Sequence, residues 1–258
     1  MALVETHVGG GVATITLSRP EALNAISGQM AVEVAEAFRA VDRDEQTRVA
    51  VLAAAGNKAF SAGADLKERN RLDHAGWLEN RERMAAMFAA IRDTPLPTIA
   101  SVFGFALGGG FELALSCDLI VAADDAVFGL PETTVGIVPG GGGTQLLARR
   151  CGLGRAKDLI FTGRRLPVEE AHTWGIVNRV VPGEGLTAAA AGLAGEISRA
   201  APLALREVKR AIDGGFGAAL RDGLALEDAA WRAAVASRDR AEGVAAFNEK
   251  REPRWTGR

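Results

Sequence analysis

The chain has 258 residues, 48% hydrophobic and 24% charged, which is enough to bury the core of one large domain or of one domain with a smaller appendage. Its 30 basic and 32 acidic residues lack the basic excess of a nucleic-acid-binding surface. The two cysteines, Cys117 and Cys151, make neither a disulfide framework nor a metal-ligand set, so we expect both to be small buried apolar side chains. Because disulfides are rare in the reducing cytoplasm, we also expect a cytoplasmic location.

The first half of the chain predicts strands that alternate with helices. VATITLS at 12–18 alternates apolar and polar residues and ends before Pro20, which is typical of a strand. The apolar spacing over 30–41 predicts a helix, and RVAVLAAAG at 48–56 predicts a strand. AGADLKER at 62–69 predicts the start of another helix. This alternation indicates an α/β core.

The middle of the chain continues the pattern. The apolar face of 85–91 indicates a helix, and PTIASVFG at 97–104 indicates a strand. We expect a second helix to start at Gly110. The first residues of CDLIVAADDAVFG at 117–129 indicate a further strand. The uncharged stretch 94–111 contains two prolines and four glycines, which favours a buried strand and turn over a membrane span.

The last quarter of the chain differs from the rest because alanine-rich helical segments follow one another. These segments are 188–198, 203–212, 218–236 and 238–250. We therefore divide the chain into an α/β core at 1–195 and an α-helical region at 196–258. Such a thin helical region cannot bury its own apolar faces, which predicts packing on a partner subunit.

Two glutamates stand among apolar residues and are candidates for acid–base chemistry. Glu112 follows three glycines in ALGGGFELALSCD, and Glu132 follows a proline in FGLPETTVG. Each has an ordinary interpretation, Glu112 as a first-turn helix residue and Glu132 as a polar turn residue. If the two converge in a buried site, their pKa values separate and one acid and one base result.

The glycine-rich turns before two predicted helices could supply backbone donors. ALGGG at 106–110 and KAFSAGADLKE at 58–68 each lead into a helix, where backbone N–H groups are free to bind an anion. Two such donors could stabilise one oxyanion or enolate. Competing motifs are incomplete, because GLGRAK at 152–157 lacks the third glycine of a dinucleotide fingerprint and PGGGGTQ at 139–145 lacks the P-loop lysine.

Taken together, these segments resemble the crotonase family, the enoyl-CoA hydratase/isomerase group. The likeness rests on VATITLSRPEALNAI at 12–26, KAFSAGADLKE at 58–68, the glycine-rich segment from ALGGG to GGGGTQ at 106–145, and AFNEKREPRWTGR at 246–258. The resemblance implies an α/β fold, the crotonase-like spiral of β-β-α repeats, with a helical C-terminal trimerisation region. It further implies a homotrimer or a hexamer formed as a dimer of trimers.

The resemblance also implies roles for particular residues. Ala64 and Gly109 match the two backbone donors that hold the thioester oxygen, and Glu112 and Glu132 match the hydratase pair. The expected coenzyme A contacts lie in two turns and on the last helix. The RPEALNA and SAGADLK turns contribute Ala22, Leu23, Ala62, Gly63, Asp65, Leu66 and Lys67. The last helix, which a neighbouring subunit supplies, contributes Phe247 and Lys250. The sequence departs from the pattern at Glu21, where relatives often have a lysine.

The implied reaction is syn addition of water to a 2-enoyl-CoA to give a 3-hydroxyacyl-CoA. Glu112 would orient and help deprotonate the water, and Glu132 would deliver a proton to C2. Coenzyme A is part of the substrate, and no metal or other cofactor is expected. Two alternatives stay open: an enoyl-CoA delta-isomerase that uses Glu132 alone, and a 3-methylglutaconyl-CoA hydratase, which ADLKER and PGGGGTQ also resemble.

A nucleic-acid-binding function is the alternative from a different class. The segment 67–84 carries five basic residues, but four acidic residues lie among them. Mixed charge of this kind is typical of a solvated helix face. We therefore expect an acyl-CoA thioester as the small-molecule partner, and neither nucleic acid nor membrane.

Overall fold

The computed structural model describes residues 2–258. Its ten strands are β1 (Val4–Gly9), β2 (Val12–Leu17), β3 (Val49–Ala54), β4 (Ala59–Ser61), β5 (Thr98–Val102), β6 (Phe105–Leu107), β7 (Leu119–Ala123), β8 (Val127–Gly129), β9 (Leu166–Pro167) and β10 (Arg179–Val181). Its α-helices are α1 (Gly28–Arg43), α2 (Leu66–Arg69), α3 (His74–Arg92), α4 (Gly109–Ser116), α5 (Gly143–Cys151), α6 (Leu153–Thr162), α7 (Val168–Thr173), α8 (Leu186–Ser198), α9 (Pro202–Gly215), α10 (Leu220–Val235) and α11 (Arg238–Glu249).

The strands form two sheets. The larger sheet has the order β1-β2-β3-β5-β7-β10, and every neighbouring pair in it is parallel except β1 and β2. The smaller sheet has the order β4-β6-β8-β9 and is parallel except at β9. The chain alternates between them, because β3, β5 and β7 lie in the larger sheet and β4, β6 and β8, which follow them, lie in the smaller one. Helical segments follow each such pair, so the repeat is β-β-α.

Burial explains why these segments are strands. Along β2, Ala13, Ile15 and Leu17 are fully buried while the residues between them are partly exposed, which is the period of a strand with one buried face. The central strand β5 is buried at every position, because helices cover both faces of the parallel sheet. Cys117 and Cys151 are buried and unpaired, as expected.

The predicted strands and helices are found with shifted ends. The helix predicted to start at Gly110 starts one residue earlier, at Gly109. The helix predicted at 62–69 is a single turn, α2, and the long helix begins only at His74. Periodicity missed the smaller sheet because its strands are two or three residues long, which is too short for a pattern to repeat.

The C-terminal helices divide into one that packs on the core and others that remain largely uncovered. Helix α8 crosses the predicted boundary at 195, and Leu186, Ala190 and Leu193 pack against the larger sheet. In contrast, α9 has no buried residue and α10 has only Ala230. The division at 195 stays a prediction. No helix among residues 2–258 is long and apolar enough to span a membrane.

Candidate active site

A cavity of about 560 Å³ opens between α3, the start of α4 and the segment 131–141. Its deep wall contains Met84 and Phe88, which are buried side chains of α3. Its rim contains Leu66, Trp77 and Val138, which are large apolar side chains left exposed to solvent. The cavity is therefore lined mainly by apolar groups, as is usual for sites that bind organic molecules.

Glu112 lies in the first turn of α4 and reaches the cavity, although its side chain is only 3% exposed. Its Oε1 accepts hydrogen bonds from the backbone N–H groups of Gly141 at 2.6 Å and Gly143 at 2.8 Å. Burial raises the pKa of the carboxyl group, and the two N–H donors oppose that rise by stabilising the charged form. The glycine-rich segment 139–143 thus solvates Glu112 with backbone groups.

Glu132 reaches the same cavity from a short 3-10 helix, Pro131–Val135. Its Oε2 is buried and has no hydrogen-bond partner among residues 2–258. Burial raises its pKa to about 7, and the nearby charge of Glu112 adds to the rise. The two carboxyl groups therefore differ in their surroundings: two backbone N–H donors favour the charged form of Glu112, whereas the buried Oε2 of Glu132 has no donor among residues 2–258.

The predicted backbone donors lie side by side at the cavity wall. Both Ala64 and Gly109 line the cavity, and a Cβ built on Gly109 would lie 3.6 Å from the amide nitrogen of Ala64. Gly109 is the first residue of α4, where a helix leaves its N–H without an intrahelical partner. Neither N–H donates to any backbone or side-chain acceptor of residues 2–258. Two unbonded N–H donors therefore lie close together at this wall, as an oxyanion site requires.

Glycine is required at two positions of this wall. The φ angle of Gly63 is +93°, and a Cβ there would lie 2.6 Å from the carbonyl oxygen of Leu107. The φ angle of Gly108 is +51°, and a Cβ there would lie 2.9 Å from Oε1 of Glu132. A side chain at either position would separate the groups that the backbone brings together.

The two turns that the family resemblance links to coenzyme A meet each other. The N–H of Ala62 donates to the carbonyl oxygen of Leu23 at 2.9 Å, which joins the RPEALNA turn to the SAGADLK turn. Leu23 and Lys58 line a second cavity of about 320 Å³ beside them. Ala62, Gly63 and Leu66 line the main cavity.

The remaining predicted contacts have other positions. Asp65 caps α2 by accepting from the N–H groups of Lys67 and Glu68, and it forms an ion pair with Arg19 at 2.7 Å, so its carboxylate is already bound within the chain. Lys67 is exposed, and Ala22 ends the 3-10 helix Pro20–Ala22; neither lines a described cavity.

Phe247 and Lys250 do not line the cavity of their own chain. Phe247 is 83% exposed near the end of α11, and Lys250 follows that helix in a left-handed conformation with φ of 54°. A contact with coenzyme A from these two residues therefore needs a second subunit and stays a prediction.

Two arginines of the cavity wall were not recognised in the sequence, where 67–84 resembled a solvated face of mixed charge. Arg69 and Arg81 both line the cavity. Arg69 is half-buried, donates to Asn80 at 3.3 Å and stacks 5.4 Å above the ring of Trp77. The spacing of Trp77, Arg81, Met84 and Phe88 along α3 places these four side chains on one helix face. That spacing is the feature of the sequence from which the cavity-lining face could have been predicted.

The arrangement suits acid–base chemistry on a substrate that carries a carbonyl group. The two N–H donors can polarise a carbonyl oxygen, and two carboxyl groups with raised pKa values line the same cavity. Among residues 2–258, no cluster of three or more His, Cys, Asp or Glu side chains is placed to hold a metal ion. The β-β-α spiral and this paired-carboxyl site define an α/β protein of the crotonase-fold class.

Sequence and structure comparisons agree with that class. The family model for enoyl-CoA hydratase/isomerase matches residues 7–258. The chain is 44% identical to the human enoyl-CoA hydratase domain-containing protein 2, mitochondrial, over 96% of this chain and 86% of that protein. It is 43% identical to a probable enoyl-CoA hydratase, echA8, of Mycobacterium tuberculosis, over 96% of this chain and 95% of that protein.

Solved structures give the same result. An enoyl-CoA hydratase from Bacillus anthracis superimposes with a TM-score of 0.97 at 39% identity, over 99% of this chain and all of that one. A Geobacillus kaustophilus enoyl-CoA hydratase subunit gives a TM-score of 0.92 at 44% identity, over 99% and 98% of the two chains. The chain belongs to the enoyl-CoA hydratase/isomerase family and has the crotonase fold, so the resemblance in its sequence is confirmed.

Proposed function

We propose that this protein is an enoyl-CoA hydratase, which adds water across the 2,3 double bond of a 2-enoyl-CoA to give a 3-hydroxyacyl-CoA. The observation that carries the proposal is the pair of carboxyl groups, Glu112 and Glu132, in one cavity beside two unbonded N–H groups. Its relatives are named as hydratases, which agrees with the proposal.

In the proposed mechanism the thioester oxygen accepts from the N–H groups of Ala64 and Gly109. These donors lower the energy of the enolate that forms when C3 is attacked. A donor lost from such a site raises the barrier by about 2.7–4 kcal/mol. The CoA contacts of the two joined turns and of Lys250 from a partner subunit would hold the substrate in this orientation.

Water lies between the carboxyl groups in this mechanism. Ionised Glu112 takes one proton from the water as its oxygen bonds to C3, and protonated Glu132 gives its proton to C2. The product gains one hydroxyl group and one hydrogen, which balances the addition of one water. Proton exchange between the carboxyl groups and solvent then restores the starting state. Coenzyme A enters as part of the substrate, and the mechanism uses no metal ion.

A hydration assay tests the proposal directly. The loss of enoyl-thioester absorbance is followed on short, long and carboxylated 2-enoyl-CoAs, and the same protein is offered a 3-enoyl-CoA. Hydration of any 2-enoyl-CoA that depends on both glutamates supports the proposal. Isomerisation of the 3-enoyl-CoA without hydration would instead identify a delta-isomerase, and activity confined to the carboxylated thioester would identify a hydratase of the 3-methylglutaconyl type.

The cellular location and the assembly are part of the same proposal. We infer a cytoplasmic enzyme, although some relatives are named as mitochondrial proteins. We also infer a homotrimer or a dimer of trimers, because α9 and α10 carry exposed apolar residues that a partner subunit could cover. Such an assembly would bring Phe247 and Lys250 to a neighbouring cavity.

A further inference from the structure

The N–H of Ala64, one of the two donors at the cavity wall, belongs to a peptide unit whose carbonyl is also bonded. In a trans peptide the carbonyl and the N–H point in opposite directions, so that fixing one fixes the other. The carbonyl of Gly63 shares this peptide unit and accepts from the N–H of Ile26 at 2.8 Å. On the other side of Ala64, the N–H of Asp65 donates to the carbonyl of Ile26 at 2.9 Å. Ile26 therefore sets the direction in which the Ala64 N–H points.

The N–H of Ile26 is fixed in the same way by the carbonyl of its own peptide unit. That carbonyl belongs to Ala25, and it accepts from Nη1 of Arg19 at 3.1 Å. No other group among residues 2–258 donates to the Ala25 oxygen. A series of hydrogen bonds thus runs from the Arg19 guanidinium group through two peptide units, Ala25–Ile26 and Gly63–Ala64. It ends at the unbonded N–H of Ala64 in the cavity wall.

Asp65 holds the guanidinium group of Arg19 in place for this contact. Its Oδ2 accepts from the same Nη1 at 2.7 Å, so one nitrogen bonds both the carboxylate and the Ala25 carbonyl. The side chains of Arg19 and Asp65 are only 25% and 11% exposed. Oδ1 of Asp65 accepts from the N–H groups of Lys67 and Glu68, which fixes the carboxylate as well. Both ends of the ion pair are therefore ordered by the backbone.

The charge of Arg19 acts on the far end of this series of hydrogen bonds. Hydrogen bonds in series polarise one another, and a bond from a charged donor is stronger than one from a neutral donor. We propose that Arg19 is a positioning residue of the oxyanion site, which orients and polarises the N–H of Ala64 through the two peptide units. This inference rests on the proposed function, because it assigns that N–H to the thioester carbonyl oxygen.

The test uses a thioester that cannot be hydrated, butanoyl-CoA with ¹³C at its carbonyl carbon. Isotope-edited infrared spectra give the carbonyl stretching frequency, which falls on binding by an amount that grows with the strength of the hydrogen bonds. We expect Arg19→Met to reduce that fall by about 20–50%, because each of two bonds in series adds roughly 10–30%. Arg19→Lys keeps a charged donor and should retain part of the fall. Arg48→Met is the control, because Nη1 of Arg48 also donates to a carbonyl at 3.1 Å, that of Ser198, away from the main cavity.

Kinetics of the same variants distinguish positioning from general destabilisation. Because the donors bind the enolate more strongly than the ground-state carbonyl, Arg19→Met should lower kcat on but-2-enoyl-CoA about tenfold and change KM by less than about threefold. Arg48→Met should change neither constant. Urea denaturation shows whether each variant is folded in the assay. Arg19→Gln, which is shorter and uncharged, replaces Arg19→Met if that variant does not fold.

The outcomes separate this inference from the proposed hydratase function. A carbonyl shift that depends on Arg19 and not on Arg48 supports the inference even if no 2-enoyl-CoA is hydrated, and that second result would overturn only the hydratase proposal. Hydration by the unchanged protein, with a carbonyl shift that is absent or that folded Arg19→Met leaves unchanged, would overturn the inference alone. A protein that binds neither butanoyl-CoA nor decanoyl-CoA would overturn both.

Discussion

The backbone N–H of Gly141 donates to Oε1 of Glu112 over 2.6 Å, and a Cβ on Gly141 would lie 2.8 Å from Oε2 of the same carboxylate. The glycine-rich segment 139–143 therefore contacts the Glu112 carboxylate with its backbone and not with a side chain. Only glycine allows the donor to approach this closely, because any side chain would overlap the ring of Phe88. The glycine-rich segment after Pro139 thus serves to hold a buried carboxylate.

Replacing Gly141 with alanine should therefore impair both stability and activity. The added Cβ must displace Phe88 or Glu112, which we expect to cost about 1–3 kcal/mol of unfolding free energy and most of the hydration rate. Urea denaturation and the absorbance assay measure the two effects. Gly154→Ala is the control, because nothing lies within 4 Å of a Cβ there, and it should gain up to about 1 kcal/mol. If Gly141→Ala and Gly154→Ala have the same unfolding free energy and the same hydration rate, the close contact of Gly141 with Phe88 and Glu112 is contradicted.

The role of the Gly109 N–H can be separated from the role of its small size. Gly109→Pro deletes the donor at the first position of α4, where helices accept proline. Gly109→Ala keeps the donor, and its Cβ would make only ordinary contacts, the nearest 3.4 Å from Ile26. We expect the proline variant to lose about 100- to 1000-fold in kcat and the alanine variant to lose far less. A folded proline variant with normal turnover would remove Gly109 from the oxyanion site.

The two glutamates should differ in isomerisation but not in hydration. Glu112→Gln and Glu132→Gln keep side-chain size and remove proton transfer, so each should slow hydration by roughly 10²–10⁴-fold. Isomerisation of a 3-enoyl-CoA needs one group that moves a proton between C2 and C4. If Glu132 is that group, any isomerase activity survives in Glu112→Gln and is lost in Glu132→Gln. If folded Glu112→Gln hydrates the substrate at the wild-type rate, Glu112 is only a residue of the first helical turn and takes no part in the reaction.

The raised pKa of Glu132 also predicts a pH-dependent stability. Because the folded state holds the proton up to about pH 7 and the unfolded chain releases it near 4.5, this group stabilises the fold below about pH 4.5. That contribution is lost as the pH rises to about 7. Glu132→Gln cannot titrate, so its unfolding free energy should fall less than that of the unchanged protein between pH 5 and 7.5. Parallel curves from urea denaturation at several pH values would show that Glu132 titrates normally.

The C-terminal helices should assemble the chain into trimers or multiples of three. Exposed apolar side chains on α9 and α10 support this expectation, including Ile212 at 63%, Leu220 at 78% and Trp231 at 62% exposure. Sedimentation at micromolar concentration should give a multiple of three, and Ile212→Asp should weaken the assembly because it buries a charge at the interface. Lys250→Ala should weaken CoA thioester binding only in the assembled protein. A stable monomer would exclude the cross-subunit role of Lys250.

Local pattern determined much of the fold. The alternation of apolar residues along 12–18 and the helical spacing over 30–41 are properties of short segments, and both segments form the predicted element. The turns before α2 and α4 could be recognised for the same reason, since a turn of glycine and other small residues ahead of a helix is a local signal. The family resemblance supplied the spiral order of the strands.

Only the tertiary structure shows which candidate residues lie together. In the sequence Glu112 and Glu132 are ordinary turn residues, but the fold places both in one cavity, where burial raises the pKa of each carboxyl group and the charge of Glu112 adds to the rise at Glu132. The charged stretch 67–84 looked solvated because sequence does not show which helix face meets a cavity, yet Arg69 and Arg81 line it. Sequence spacing determines local conformation, but burial and charge pairing depend on contacts between segments far apart in the chain.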